Sequence, residues 1–404
     1  MNENNENMIS RRRFIGNVAT VAAGITILPS KVISGLGYTA PSDKLNIAAV
    51  GIGGIGAVNL EHCAGENIVA LCDVDWDYGA ATFAAYPAAK KYTDYRKMLS
   101  EMGKSIDAVI VATPDHTHAI VAAAAIRMGK HVYVQKPLTH TVYESRMLAQ
   151  LAREYKVATQ MGNQGNSGEG IRQAVELIWD GAIGDIEEVH AWTNRPIWPQ
   201  GLERPMETPS LPPTMDWDNF IGPAKWRPYH PSYTPWNWRA YWDFGTGALG
   251  DMACHIVDPA FWALKLGHPT CIYGSSTQVN TESAPHSEIV HYEFPDRGKV
   301  GKIKLPAMKL TWYDGGLMPP RPDELKPGQI MGDNSGGVLF VGSKGKLITE
   351  CYGRNPILLP EELHNDYKRP TPSIRRIDKA MEGGHELDWI RACKESPESR
   401  VPTS

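Results

Sequence analysis

The chain has 404 residues, a length that suits two domains better than one. At 42% hydrophobic and 21% charged it has the composition of a globular protein, and a net charge of −4 gives no basis for a nucleic-acid or anionic-lipid partner. Its six cysteines (Cys63, Cys72, Cys254, Cys271, Cys351 and Cys393) form no CxxC pair and no metal-type spacing, so they read as mostly buried thiols and no metal is expected.

The first segment reads as an address rather than a fold. Ser10-Arg11-Arg12-Arg13-Phe14-Ile15 has the twin-arginine export pattern. An apolar run at 18–28 follows, and Pro29 and Ser30 end it. The run is too short to span a bilayer and fits the apolar region of a signal peptide. The expected localisation is therefore periplasmic, with no membrane attachment of the mature form. The alternative is a basic, frayed start to a cytosolic protein. Residues 31–43 read as a linker.

From residue 44 the pattern alternates. Short apolar runs at 45–50, 68–72, 108–112, 131–134 and 157–161 predict buried strands. Alanine-rich stretches at 119–128 and 143–155 have helical spacing. Strand–helix alternation predicts an α/β fold with a doubly wound parallel sheet, the dinucleotide-binding Rossmann arrangement, over residues 44–163.

The character changes after Gly162. Residues 192–242 hold seven of the twelve tryptophans, and ten of the thirty prolines fall between Pro196 and Pro235. That much proline rules out regular helix or central strand and predicts a long loop laid over a scaffold. Strand-like runs at 289–294, 301–305, 309–313, 338–341 and 346–349, separated by glycine and proline turns, predict a mostly antiparallel sheet. Residues 164–404 thus read as a second α/β domain for substrate and oligomerisation. Residues 386–393 read as a helix, and the few residues beyond it suggest a chain cut short at its C-terminus.

Three motifs carry chemistry in the first domain. Gly51-Ile52-Gly53-Gly54-Ile55-Gly56 is GxGxxG between a strand and a helix, with Asp73 at the end of the next strand, twenty-two residues after Gly51. The glycines permit a tight turn, close approach of a pyrophosphate and close helix packing, while the helix N-terminus offers free N–H groups. Asp73 would accept both ribose hydroxyls and repel a 2′-phosphate, which favours NAD over NADP. Thr113-Pro114-Asp115, with His118, leaves the third predicted strand at the edge where ligands bind; helix capping by Asp115 is the bland alternative to cofactor contact. Gln135-Lys136-Pro137 leaves the fourth, and a lysine there, near a cationic nicotinamide, is expected to lose basicity and serve as a proton acceptor.

In the second domain Asp251 and His255 lie four apart, hence on one helix face, an arrangement in which a carboxylate orients an imidazole as general base. Asp258, before Pro259, reads as the N-cap of a further helix. Among the loop aromatics, Trp198 and Trp238, with Arg195, are the candidate sugar contacts: rings stack on apolar sugar faces and the guanidinium fixes hydroxyls. Packing of the loop is the competing role for each tryptophan.

Taken in order, the glycine fingerprint, a lysine–proline motif and an Asp-x-x-x-His helix make the chain resemble the Gfo/Idh/MocA oxidoreductase family from about Lys44 onward. The resemblance implies that Lys136 holds the reacting hydroxyl and cofactor, that His255 with Asp251 relays the proton, and that the protein forms homodimers or homotetramers. Gln135 stands where the family has glutamate, which leaves Lys136 less favoured as a cation. The expected function is NAD-dependent hydride transfer at a sugar, cyclitol or glycoside CH–OH. The alternatives are glycoside cleavage through transient oxidation and a non-catalytic cofactor-binding protein; the retained lysine argues against the first of these.

Overall fold

A computed structural model describes residues 43–404. The twin-arginine pattern, the apolar run and most of the expected linker lie outside the described residues.

The first part of the chain runs β1 (Asn46–Val50), α1 (Ile55–His62), β2 (Asn67–Cys72), α2 (Ala80–Ala85), β3 (Lys90–Tyr92), α3 (Tyr95–Met102), β4 (Ala108–Val111), α4 (Asp115–Arg127), β5 (His131–Gln135), α5 (Val142–Tyr155) and β6 (Thr159–Gly162). The six strands are parallel in the order β3-β2-β1-β4-β5-β6. Alternate residues of β1 and β4 feed opposite faces: Ala48, Val50, Val109 and Val111 one core, Ile47, Ala49, Ala108 and Ile110 the other. Burial on both faces explains why these strands read as unbroken apolar runs. The exception is β3, three residues long with two exposed lysines, which carries no apolar signal.

The chain continues through α6 (Glu169–Trp179), β7 (Ile186–Thr193), α7 (Trp217–Ile221), α8 (Gly247–Ile256), α9 (Asp258–Ala263), β8 (Cys271–Ser276), β9 (Glu288–Phe294), β10 (Lys299–Val300), β11 (Ile303–Lys304), β12 (Met308–Tyr313), β13 (Gly336–Gly342), β14 (Gly345–Glu350), β15 (Ile357–Leu359), α10 (Glu361–Asp366) and α11 (His385–Lys394). Seven strands form a second sheet, β15-β14-β13-β7-β12-β9-β8, antiparallel except for β12 beside β7. One face packs on α6, α8 and α9 through Val189, Leu310, Trp312, Val338 and Phe340. The central strand β7 was not anticipated, because Glu187, Glu188 and His190 break its apolar pattern. Helix α11 returns to the first sheet, where Trp389, Ile390 and Ala392 join the core of Ile47 and Tyr133.

The proline-rich loop has an aromatic core of its own, in which Trp217 stacks on Phe220 with centroids 4.8 Å apart. Arg227, 4% exposed, is held among these rings by carboxylates of Asp243 and Glu282. Residues 214–216 of the loop pair with the segment after β2: Trp76 N–H donates to Thr214 O (3.1 Å) and Asp216 N–H to Val74 O (2.8 Å). Arg96 adds a bond to Asn219 Oδ1 at 2.7 Å.

Candidate active site

A cavity of about 740 Å³ opens at the carboxyl edge of β1, β2, β4 and β5. Gly51, Gly53, Gly54 and Ile55 line it, with Asp73, Thr113, Pro114, Gln135 and Lys136 from the other strand ends. The facing wall comes from α8 and the aromatic loop.

The glycine loop is shaped for close approach. Gly51 has φ +78°, and a Cβ there would lie 2.5 Å from Ala112 O. A Cβ on Gly56 would meet Gly51 O at 2.1 Å, so only glycine lets α1 pack against the turn. Gly54 precedes α1 with no side-chain cap, which leaves first-turn N–H groups for an anion. Ile52 and Gly56 sit behind this surface; Ile52 N–H donates to Asp73 Oδ2 at 2.8 Å. Asp75 N–H donates to Asp73 Oδ1 at 3.0 Å. Burial raises the Asp73 carboxyl against the pull of these backbone bonds. The residues therefore fit a dinucleotide: a glycine backbone cradle lines the cavity beside a fixed carboxylate that could accept ribose hydroxyls. Tyr78, unforeseen in the sequence, comes from the segment after β2 and leans over this loop: a Cβ on Gly53 would fall 2.1 Å from its ring and one on Gly54 2.8 Å from its hydroxyl.

Two expected cofactor contacts lie behind the cavity wall instead. Asp115 is buried in the first turn of α4 and accepts from Thr246 Oγ1 at 2.8 Å; burial lifts its carboxyl to about 6. It does not cap the helix, since Pro114 occupies that position. His118 spans the ends of β4 and β5, with its ring nitrogens 2.7 Å from Thr113 O and Pro137 O. Their helix turns both residues into the core, where His118 braces the strand ends and Asp115 ties α4 to the residue before α8.

Gln135 is explained by its neighbours. Asn59 Nδ2 donates to Glu386 Oε1 at 2.7 Å, which turns Asn59 Oδ1 toward residue 135. That oxygen needs a donor, and Gln135 Nε2 supplies it at 2.9 Å. A glutamate could not.

Lys136 Nζ lies 2.5 Å from Asp251 Oδ1 and 3.1 Å from Asp251 O. Arg239 Nε reaches the same Oδ1 at 3.2 Å. Burial opposes charge on Asp251, but the two cations outweigh it and hold the carboxyl at about 2. The expected Asp251–His255 hydrogen bond is absent: the carboxylate turns to the lysine and arginine. Burial, aided by Lys136, pushes His255 down to about 3, so its imidazole is neutral. Its ring meets Tyr352 edge-on at 4.7 Å, and its buried Nδ1 has no partner among the described residues. Asp258 is not an N-cap either; Val257 is, and the Asp258 carboxylate accepts from Asn163 and Asn166.

Arg195 and Trp238 line the cavity, but Trp198 does not. Trp198 is 4% exposed within the loop core and donates Nε1–H to Gln200 Oε1 at 3.0 Å, which assigns it to packing. Sequence reading missed Trp236, Arg239 and Tyr352. A cation directly after Trp236-Asn237-Trp238 was the available signal for Arg239; nothing local marks Tyr352.

A parallel sheet with a glycine cradle, faced by a lysine–aspartate pair and a neutral histidine, defines an NAD(P)-binding protein of the oxidoreductase class. Residues 45–163 match the oxidoreductase family's NAD-binding Rossmann fold, designated GFO_IDH_MocA, and residues 184–300 match its C-terminal alpha/beta domain; together these cover more than half the chain. The chain belongs to the Gfo/Idh/MocA oxidoreductase family. Inositol 2-dehydrogenase of Salmonella typhimurium is 32% identical over 152 residues, 36% of this chain and 45% of that protein. Glycosyl hydrolase family 109 protein 1 of Akkermansia muciniphila is 28% identical over 163 residues, 37% of this chain and 34% of that one. The chain thus spans less than half the length of these curated relatives. Levoglucosan dehydrogenase in complex with NADH shares the fold, with a TM-score of 0.56 at 18% identity over 87% of this chain and 90% of that one.

Proposed function

We propose that the protein oxidises and reduces a CH–OH group of a sugar, cyclitol or glycoside with NAD(H) that it keeps bound. The observation that carries this reading is Lys136 Nζ fixed 2.5 Å from Asp251 Oδ1 in the cavity that the glycine cradle and the neutral His255 also line. NAD held by the glycine cradle and Asp73 would supply the hydride acceptor for the carbon that bears the hydroxyl. Lys136, oriented by Asp251, donates a hydrogen bond to the hydroxyl oxygen as it becomes a carbonyl. The His255 imidazole, which lines the cavity, takes the hydroxyl proton. A weakly basic imidazole suffices, because the O–H grows strongly acidic as hydride leaves. Asp73 supports NAD over NADP, since a 2′-phosphate would meet a buried carboxylate.

We propose three further features of the protein. Residues 44–163 hold the cofactor and 164–404 shape the substrate end. The protein is exported by the twin-arginine route, which carries folded proteins, to a compartment without free NAD. It works as a homodimer or homotetramer; strand β8, exposed along its length at the edge of the second sheet, offers pairing surface. Export requires a retained cofactor, and the 214–219 segment clasped over the residues after Asp73 supports retention.

Denaturing protein purified without added cofactor is expected to release about one NAD(H) per chain, the stoichiometry of a single dinucleotide site. A sugar panel with a keto-sugar acceptor is expected to turn over without added NAD. Empty sites, with NADH released steadily when NAD and sugar are supplied, would point to an ordinary cytosolic-type dehydrogenase. The match to a glycosyl hydrolase family 109 protein favours a second reading, redox-neutral glycoside cleavage. Release of p-nitrophenol from p-nitrophenyl glycosides with no added NAD would select it.

A further inference from the structure

The two ends of the cavity differ in charge. Toward the adenosine side its wall carries Asp73, Asp75 and Asp218, with Arg96 alone against them. At the other end stand Lys136, Arg195 and Arg239, with Asp251 the one carboxylate that lines it and Asp115 buried behind the wall, so three cations face two carboxylates. Oxidised nicotinamide would add another positive charge there, and His255 contributes none. One carboxylate oxygen is thus shared by two cations, and a positive surplus remains in a site largely screened from water. Such a surplus is costly unless something anionic enters.

Arg239 is built to meet that anion. Its guanidinium lies 4.0 Å from the Trp236 ring centroid and 4.2 Å from that of Trp238. Nε is committed to Asp251 and Nη1 to Trp236 O at 3.2 Å. Among the described residues Nη2 has no acceptor. Stacked faces and a free edge are the presentation in which a guanidinium binds a planar carboxylate. Arg195 borders the same cavity, and among the described residues only Nη1 of its guanidinium is engaged, with Asn194.

We propose that the substrate is a sugar acid, a uronate or a glycoside of one, whose carboxylate is bound by Arg239 and Arg195 while a ring hydroxyl meets Lys136. This rests on the oxidoreductase reading and names its substrate class. The competing role for Arg239 is a clamp on the cofactor's pyrophosphate.

The test is tryptophan fluorescence of the NAD-loaded protein titrated with sodium D-glucuronate, sodium D-galacturonate, D-glucose, D-galactose and myo-inositol at constant ionic strength. At least one uronate is expected to bind about tenfold or more tighter than its neutral counterpart, the worth of one charge-assisted bidentate contact. Arg239→Gln and Arg195→Gln are each expected to reduce that ratio toward one, with NAD affinity unchanged. Arg239→Lys, which keeps the charge but not the fork, is expected to restore part of it. Neutral sugars bound as tightly as uronates would overturn the proposal and leave the oxidoreductase reading standing. Weakened NAD with an unchanged uronate ratio in Arg239→Gln would reassign that arginine to the pyrophosphate. If Arg239→Gln does not fold, the wild-type ratio and Arg195→Gln decide. Uronate binding with no NADH formed on any sugar would sink the oxidoreductase reading instead.

Discussion

The cavity has two unlike walls. One is built mainly on main chain: a glycine loop, where an added Cβ at Gly51 or Gly56 would overlap backbone, bordered by the side chains of Asp73, Tyr78 and Lys136. The other is side chain throughout, with indoles, guanidinium groups, a carboxylate and an imidazole delivered by α8 and a proline-rich loop. A backbone wall is fixed by the fold and suits a ligand that never varies. A side-chain wall can be altered residue by residue at little cost to the fold, and suits a substrate that differs between relatives. The two walls are joined by the Lys136–Asp251 contact, since the lysine belongs to the first and the carboxylate to the second.

That junction is where the largest effects are expected. Lys136→Ala and His255→Ala should each lower kcat by about 10²–10⁴, the usual worth of a positioned acid or base, with NAD binding retained. Turnover within about twofold of wild type for both would put the chemistry elsewhere. On the side-chain wall, Trp198→Ala should cost about 3–5 kcal/mol of stability by opening the loop core, with KM for sugars nearly unchanged. A raised KM at unchanged Tm would return Trp198 to the substrate.

Smaller effects sharpen the backbone wall. Gln135→Glu leaves Asn59 Oδ1 facing a carboxylate and should cost about 1–3 kcal/mol in chemical denaturation, the penalty of a buried unsatisfied acceptor. An unchanged midpoint would refute the hydrogen-bond chain through Glu386. Asp73→Ala should narrow the preference for NAD over NADP by about tenfold, one charge-assisted hydrogen bond, as read by cofactor titration of emptied protein.

A last effect concerns pH. His255 is held near 3 in the fold against 6.5 as its ordinary value, so the unfolded chain takes up the proton first. Its contribution to stability is therefore complete above about pH 6.5 and is lost as pH falls toward 3. Lys136→Met removes one repelling charge and should move the imidazole titration upward, which ¹⁵N NMR of labelled histidine would follow. A titration that stays put would leave burial as the sole cause.

What could be read from residues was what local order fixes. GxGxxG after a strand, Asp73 at the next strand end and the lysine of Gln135-Lys136-Pro137 are short-range patterns whose backbone geometry follows from nearby residues, and the parallel sheet's apolar runs follow from burial on both faces. Helical spacing also put Asp251 and His255 on one face. It could not say which partner the carboxylate would choose, because Lys136 is 115 residues distant in sequence and Arg239 lies on another element. The same limit explains β7, whose acidic residues hide a central strand; Trp198, buried rather than open; and Asp115 and His118, turned inward by their helix. It explains Gln135 as well, for the amide answers Asn59 and Glu386, brought together only when α11 packs back on the first sheet. Sequence patterns set the backbone wall, while the side-chain wall is a product of long-range packing, where burial and charge pairing decide which way each group points.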